Sequence, residues 1–70
     1  MNKTQKILNH LRINGSITSW EAIQEYGVTR LSAIIFNLRK KGMFIISERV
    51  TFTDRYGDKA NFAKYVLISE

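Results

Sequence analysis

The spacing of apolar residues changes once along this 70-residue chain, near Gly42. Before this glycine, apolar residues recur at the three- and four-residue intervals of helices, whereas β-branched and aromatic residues dominate after it, as in strands. The pattern predicts three helices over about residues 3–13, 18–26 and 29–41, followed by an antiparallel β-hairpin over about residues 44–69. We therefore expect one α+β domain that spans residues 1–70.

The first helix is predicted from a single apolar stripe formed by Ile7, Leu8 and Leu11. Asn14-Gly15 ends it, because glycine suits the left-handed conformation that follows many helices. His10 is expected on the helix surface. Ile17 can add a short strand to the later hairpin.

The second helix begins with a recognisable signal. Thr18 and Glu21 are spaced as a capping box, in which each side chain accepts a hydrogen bond from the other residue's backbone N–H. Trp20 and Ile23, together with Tyr26, are expected on the buried side of this helix, and Gly27 ends it.

The third helix is basic on one side and apolar on the other. A helical wheel groups Leu31, Ile34, Ile35 and Leu38 as the buried stripe. The opposite side carries Thr29, Ala33, Phe36 and Lys40, flanked by Arg30, Asn37, Ser32 and Arg39. Residues 29–41 contain four basic side chains and no acidic one. Arg39, Lys40 and Lys41 also suit the negative end of the helix dipole, so a solvated helix end is the alternative interpretation of these three, which the absence of acids from the helix disfavours.

The predicted hairpin is apolar on both faces. Phe44, Ile46, Val50 and Phe52 share one face of its first strand, with Ile45 on the other. In its second strand Ala63, Tyr65 and Leu67 alternate with Phe62, Val66 and Ile68. One face must cover the helices, so the other predicts a homodimer interface. The competing interpretation is a bulge that exchanges faces within a strand and buries these residues in the monomer.

Composition narrows the range of functions. Eleven Lys and Arg residues against six Asp and Glu residues give a net charge of +5, which favours a polyanionic partner, although an acidic protein or a membrane surface also fits. The longest apolar run, Met43–Ile46, is too short for a membrane span or a signal peptide, so we expect a cytoplasmic protein. With no cysteine, a single histidine and scattered acids, neither a metal, a cofactor nor an enzymatic activity is expected.

Three segments of the chain carry a family resemblance. Residues 15–23 (GSITSWEAI), 26–31 (YGVTRL) and 38–42 (LRKKG) resemble the small winged helix-turn-helix domains of phages and prophages, and Tyr65-Val66-Leu67 resembles the last strand of their wing. The resemblance implies that the third helix enters the major groove of double-stranded DNA, with bases read by Thr29, Arg30, Ala33 and Asn37. Ser32, Arg39, Lys40 and Lys41 would surround this contact. Arg55 and Lys59, at the tip of the wing, would bind the adjacent minor groove or its phosphates.

The resemblance implies a transcriptional regulator from a phage or mobile element, acting in the cytoplasm of a bacterial host. Two alternatives stay open: a protein-binding inhibitor, for example of a host defence nuclease, and an architectural factor in recombination or excision. Arg55 and Lys59 can also be ordinary solvated loop residues. Phe36 has three open roles, namely packing under the wing, contacting a base or sugar, or contacting a protein partner. For Trp20, burial in the core is the expected role.

Overall fold

The computed structural model describes residues 2–70, which form three helices and a three-stranded antiparallel sheet. The elements in chain order are α1 (Lys3–Asn14), β1 (Ser16–Thr18), α2 (Ser19–Tyr26), α3 (Leu31–Lys40), β2 (Phe44–Thr53) and β3 (Lys59–Ser69). The three helices and the C-terminal hairpin were predicted from the sequence. The sheet is larger than a two-stranded hairpin, because β1 pairs with β3 and gives the strand order β1-β3-β2.

The ends of α1 and α2 are defined by capping residues. Thr18 and Glu21 form the predicted capping box: the Glu21 N–H donates to Thr18 Oγ1, and the Thr18 N–H donates to Glu21 Oε1, both over 3.0 Å. Gly15 and Gly27 follow the two helices with φ angles of 83° and 66°, which residues with a Cβ rarely adopt. The turns at both helix ends are therefore determined locally by the sequence.

Helix α3 begins at Leu31, two residues later than predicted. The preceding residues 27–30 are held away from helical geometry because Val28 is buried in the core and its N–H donates to the Ala22 carbonyl over 2.9 Å. Arg30 occupies the N-cap position without forming a side-chain cap. Thr29 and Arg30 thus belong to the turn between α2 and α3.

The core lies between the helices and one face of the sheet. Its fully buried large side chains are Ile7, Leu11, Ile17, Ile35 and Leu38. Ile45 of β2 is also buried, and Tyr65 and Leu67 of β3 pack against this cluster from the same sheet face. In residues 2–70 no helix has the length and apolar character needed to cross a bilayer.

The other face of the hairpin is apolar and partly exposed. Phe44 is 57% exposed and Phe52 is 49% exposed. A register shift does occur, but it lies between Phe44 and Ile45, at the first residue of β2, and the pairing is regular from there to the tip. The alternative of a mid-strand bulge that buries these residues in the monomer is therefore wrong.

The predicted burial of Trp20 and Ile23 on α2 was also wrong, whereas Tyr26 does pack against the core. Trp20 is 58% exposed and Ile23 is 44% exposed, whereas Ala22 is the buried residue of this helix. Helix α2 is only eight residues long and meets the core through the methyl group of Ala22, so the bulky side chains of Trp20 and Ile23 lie at its flank. There they line an apolar groove with Phe52 and Phe62 of the hairpin.

His10 does not lie on the surface as predicted. Its side chain is only 10% exposed, with Nδ1 2.8 Å from the Tyr26 hydroxyl oxygen and Nε2 3.5 Å from Glu21 Oε2. The spacing contained a signal for this position, because His10 follows Ile7 by three residues and precedes Leu11, which places it on the buried stripe of α1. His10 thus contacts side chains near both ends of α2.

Candidate nucleic-acid interface

The surface of α3 that faces away from the core combines small, polar and aromatic side chains. Leu31, Ile35 and Leu38 are buried on one side of the helix. The exposed residues of the remaining surface are Ser32, Ala33, Phe36, Asn37, Arg39 and Lys40. The wheel derived from the sequence placed these residues correctly, and Phe36, at 56% exposure, does not pack under the hairpin.

Thr29 and Arg30 are exposed and immediately precede α3. They lie at the N-terminal end of the helix, which is the end that reaches base edges when such a helix enters the major groove. Because the backbone of Arg30 is not helical, its side chain leaves the chain in a different direction from that of a residue within α3. The basic segment 29–41 contains no acidic side chain that could neutralise it.

The three consecutive cations at the end of α3 have different environments. Arg39 Nε donates to the Ile45 carbonyl over 2.9 Å and so connects α3 to β2. Lys40 Nζ lies 4.8 Å from the centroid of the Phe36 ring, within cation–π distance. Lys41 is the exposed C-cap residue. Lys40 and Lys41 therefore present charge to solvent, whereas Arg39 also has a structural role.

A hydrogen-bonded turn presents the cations at the hairpin tip. The Asp54 carboxylate accepts hydrogen bonds from the backbone N–H groups of Tyr56, over 2.8 Å, and Asp58, over 3.0 Å. Arg55 is exposed beside the Tyr56 ring, and Lys59 is exposed at the first position of β3. Because Asp54 faces the backbone of its own turn, the basic side chains are left to face outward.

A comparison with known protein families matches residues 2–70 to the winged helix-turn-helix domain. This chain belongs to that family. Comparisons with curated proteins and with solved structures gave no significant match. The family assignment covers the whole described chain and confirms the resemblance drawn from the three sequence segments.

Membership of the winged helix-turn-helix family indicates DNA binding. In the terms of this family, α2 and α3 are the helix-turn-helix, α3 is the helix that corresponds to the recognition helix, and the β2–β3 hairpin is the wing. The long dimension of the molecule, 41 Å against 22 Å and 20 Å for the others, reflects the length of this wing. Residues 51–59, at its distal end, are all exposed.

Two features of the winged helix-turn-helix surface were missed by the sequence analysis. Asn2, Thr4 and Gln5 of the α1 region line a polar groove with Asn37, Lys40 and Lys41 of the α3 region. No local pattern could indicate this, because the contact depends on how α1 crosses α3. Tyr56 was also missed, although it is the most exposed aromatic residue of the chain's wing, at 81%.

Proposed function

We propose that this protein binds specific sequences in double-stranded DNA as a transcriptional regulator of a phage or mobile element, in the cytoplasm of a bacterial host. The observation that carries the proposal is the exposed, acid-free basic surface of α3, next to a wing with exposed cations at its tip. A major groove accepts one α-helix, and its base edges differ for all four base-pair orientations. The role is binding without catalysis.

The proposed contacts divide between the two elements. Thr29, Arg30, Ala33 and Asn37 read bases, with Ser32 beside them. Arginine suits the two acceptors of guanine, asparagine suits adenine, and alanine suits the thymine methyl group. Arg39, Lys40 and Lys41 contact phosphates near the helix C-terminus, and Arg55 and Lys59 contact the adjacent minor groove or backbone, which positions the domain without reading sequence.

The test begins with selection of a preferred site from a pool of duplexes with a randomised centre. Arg30→Ala and Asn37→Ala should each weaken binding to the selected site by about 1–3 kcal/mol and weaken binding to random duplexes far less. Arg12→Ala is the matched control, because Arg12 is an exposed arginine of α1 that pairs with Glu70 and is not among the proposed DNA contacts. Failure to bind any duplex at about 50 mM salt, where phosphate contacts are strong, would exclude the proposal.

The exposed Phe36 favours an alternative function, namely binding of a protein partner such as a host defence nuclease. This alternative predicts no measurable affinity for duplexes at low salt. An architectural role in recombination or excision shares the DNA contacts and differs in the shape of the complex. Circularly permuted fragments distinguish it, because a bending protein changes their mobility with the position of the site.

We also propose that the protein forms a homodimer through the groove lined by Trp20, Ile23, Phe52 and Phe62. A second copy is the occupant favoured by the surface, because the groove is uncharged and two-fold pairing uses the same patch on both subunits. Such pairing would also place two α3 helices on a pseudo-palindromic site.

Sedimentation equilibrium at tens of micromolar tests the homodimer. We expect twice the chain mass of 8.1 kDa for the wild type and the single mass for Trp20→Ala. Phe36→Ala is the control, since it removes an exposed aromatic ring of α3, outside the groove and the hairpin. A wild-type protein that sediments at 8.1 kDa with and without DNA would exclude the dimer.

A further inference from the structure

Phe36 is the only aromatic side chain of α3, and it lies on the side opposite the buried stripe. Long side chains in helices point back toward the helix N-terminus and cover the preceding turn. The Phe36 ring is therefore directed over the turn that contains Ala33, which is itself exposed. The two residues make an apolar area in the centre of a surface that is otherwise polar.

The ring is held by a neighbouring cation. Lys40 Nζ lies 4.8 Å from the ring centroid, an arrangement in which the ammonium group is attracted to the π-face. Lys40 follows Phe36 by one helical turn, so the contact is compatible with undistorted helix geometry. The ring consequently presents an apolar surface that is bordered by a positive charge.

The surroundings of Phe36 fit a nucleic acid better than a protein. The cores of protein–protein interfaces are depleted in lysine and built from several adjoining apolar side chains. Here the exposed neighbours one turn away are Ser32 and Lys40, and Asn37 is adjacent in sequence. A surface that binds DNA needs hydrogen-bonding groups for base edges and cations for phosphates, and the small apolar area around Phe36 lies among both.

The chemistry of the major groove supplies one apolar group of matching size. Thymine is the only standard base that displays a methyl group there, and phenylalanine and alanine are among the residues that contact it. We infer that Phe36, together with Ala33, recognises the 5-methyl group of a thymine in the bound site, an inference that rests on the proposed DNA-binding function. Phe36 is then a specificity-determining residue, and Lys40 both orients its ring and faces the adjacent backbone.

Replacing thymine by uracil tests this inference, since it removes only the 5-methyl group and leaves the Watson–Crick edge unchanged. In the selected site, each thymine is replaced in turn by uracil. We expect one position at which the wild-type protein loses about fourfold in affinity, the change expected from exposing one buried methyl group. Phe36→Ala should lose most of the thymine–uracil difference at that position, with Ala33 keeping the remainder, whereas Phe36→Leu should keep more of it.

The control variant is Phe44→Ala, because Phe44 has nearly the same exposed fraction as Phe36 but lies in β2. It should discriminate thymine from uracil as the wild type does, and circular dichroism verifies that all three variants fold. Tight binding of the selected site with no uracil effect at any position overturns the inference and leaves the proposed function intact. Undiminished discrimination by Phe36→Ala also overturns it. Absence of binding to every duplex overturns the proposed function and the inference together.

Discussion

The contribution of the wing to DNA binding can be measured by replacing Arg55 and Lys59 with glutamine, singly and together. Both side chains are exposed at the tip, and Asp54, the acid nearest to Arg55 in sequence, is engaged with backbone N–H groups of the turn. Glutamine keeps most of the side-chain length and removes the charge. The substitutions therefore change electrostatics with little change in shape.

The structure sets the expected magnitude through the number of free cations. Arg30 is excluded, because it is proposed to read bases. Five exposed cations remain at the α3 C-terminus and on the wing tip: Arg39, Lys40, Lys41, Arg55 and Lys59. Each phosphate contact adds about 0.9 to the slope of log affinity against log salt, so we expect about −4.5 for the wild type and about −2.7 for the double variant.

Fluorescence anisotropy with a labelled duplex, measured between about 50 and 200 mM salt, gives this slope directly. The control is Arg12→Gln, which removes one positive charge beside Glu70, at the end of β3 opposite the wing tip. It should leave the slope at the wild-type value. An equal loss of slope in Arg12→Gln and the wing variants would refute the reasoning, because it would mean that overall charge alone determines binding.

Two further predictions concern stability. Thr18→Ala removes one half of the capping box and should cost about 1 kcal/mol, whereas Thr18→Ser should be close to the wild type; thermal unfolding measures both, with a shift of about 4–8 °C per kcal/mol for a domain of this size. Hydrogen bonds from Arg12 lower the pKa of Glu70, so the Glu70 carboxylate takes up a proton less readily in the folded state than in the unfolded chain. The resulting stabilisation of the fold is present above the ordinary glutamate pKa and is lost as the pH falls through the lowered pKa. The difference in melting temperature between wild type and Glu70→Gln should accordingly shrink from neutral pH to acid pH, and a constant difference would contradict it.

The parts of the fold that were predictable depend on residues close in sequence. The capping box of Thr18 and Glu21 and the apolar stripe of α3 need only a few neighbouring positions to be recognised. The exposure of Trp20 could not be predicted in this way, because it depends on Ala22 being the residue through which α2 meets the core. A large apolar side chain in a short helix is assigned to the core by default, and only the tertiary arrangement shows which side of α2 is covered.

The candidate interface likewise has a part that was predictable from residues close in sequence and a part that depends on tertiary structure. Its α3 surface followed from helical periodicity and from the absence of acids in residues 29–41. The structural role of Arg39 could not be predicted from helical periodicity, since its hydrogen bond to the Ile45 carbonyl joins two different elements. The groove between the start of α1 and the end of α3 likewise arises from helix crossing, which periodicity does not encode.

The strand order β1-β3-β2 has a consequence for how the chain folds as it is synthesised. The strand at the centre of the sheet, β3, is the last of the six elements to leave the ribosome. Neither β1 nor β2 has a pairing partner until residues 59–69 are available, whereas the local contacts of the helices can form earlier. A chain interrupted before Lys59 lacks both strand pairings at once, so the nascent helix-turn-helix acquires its wing and its sheet in a single late step.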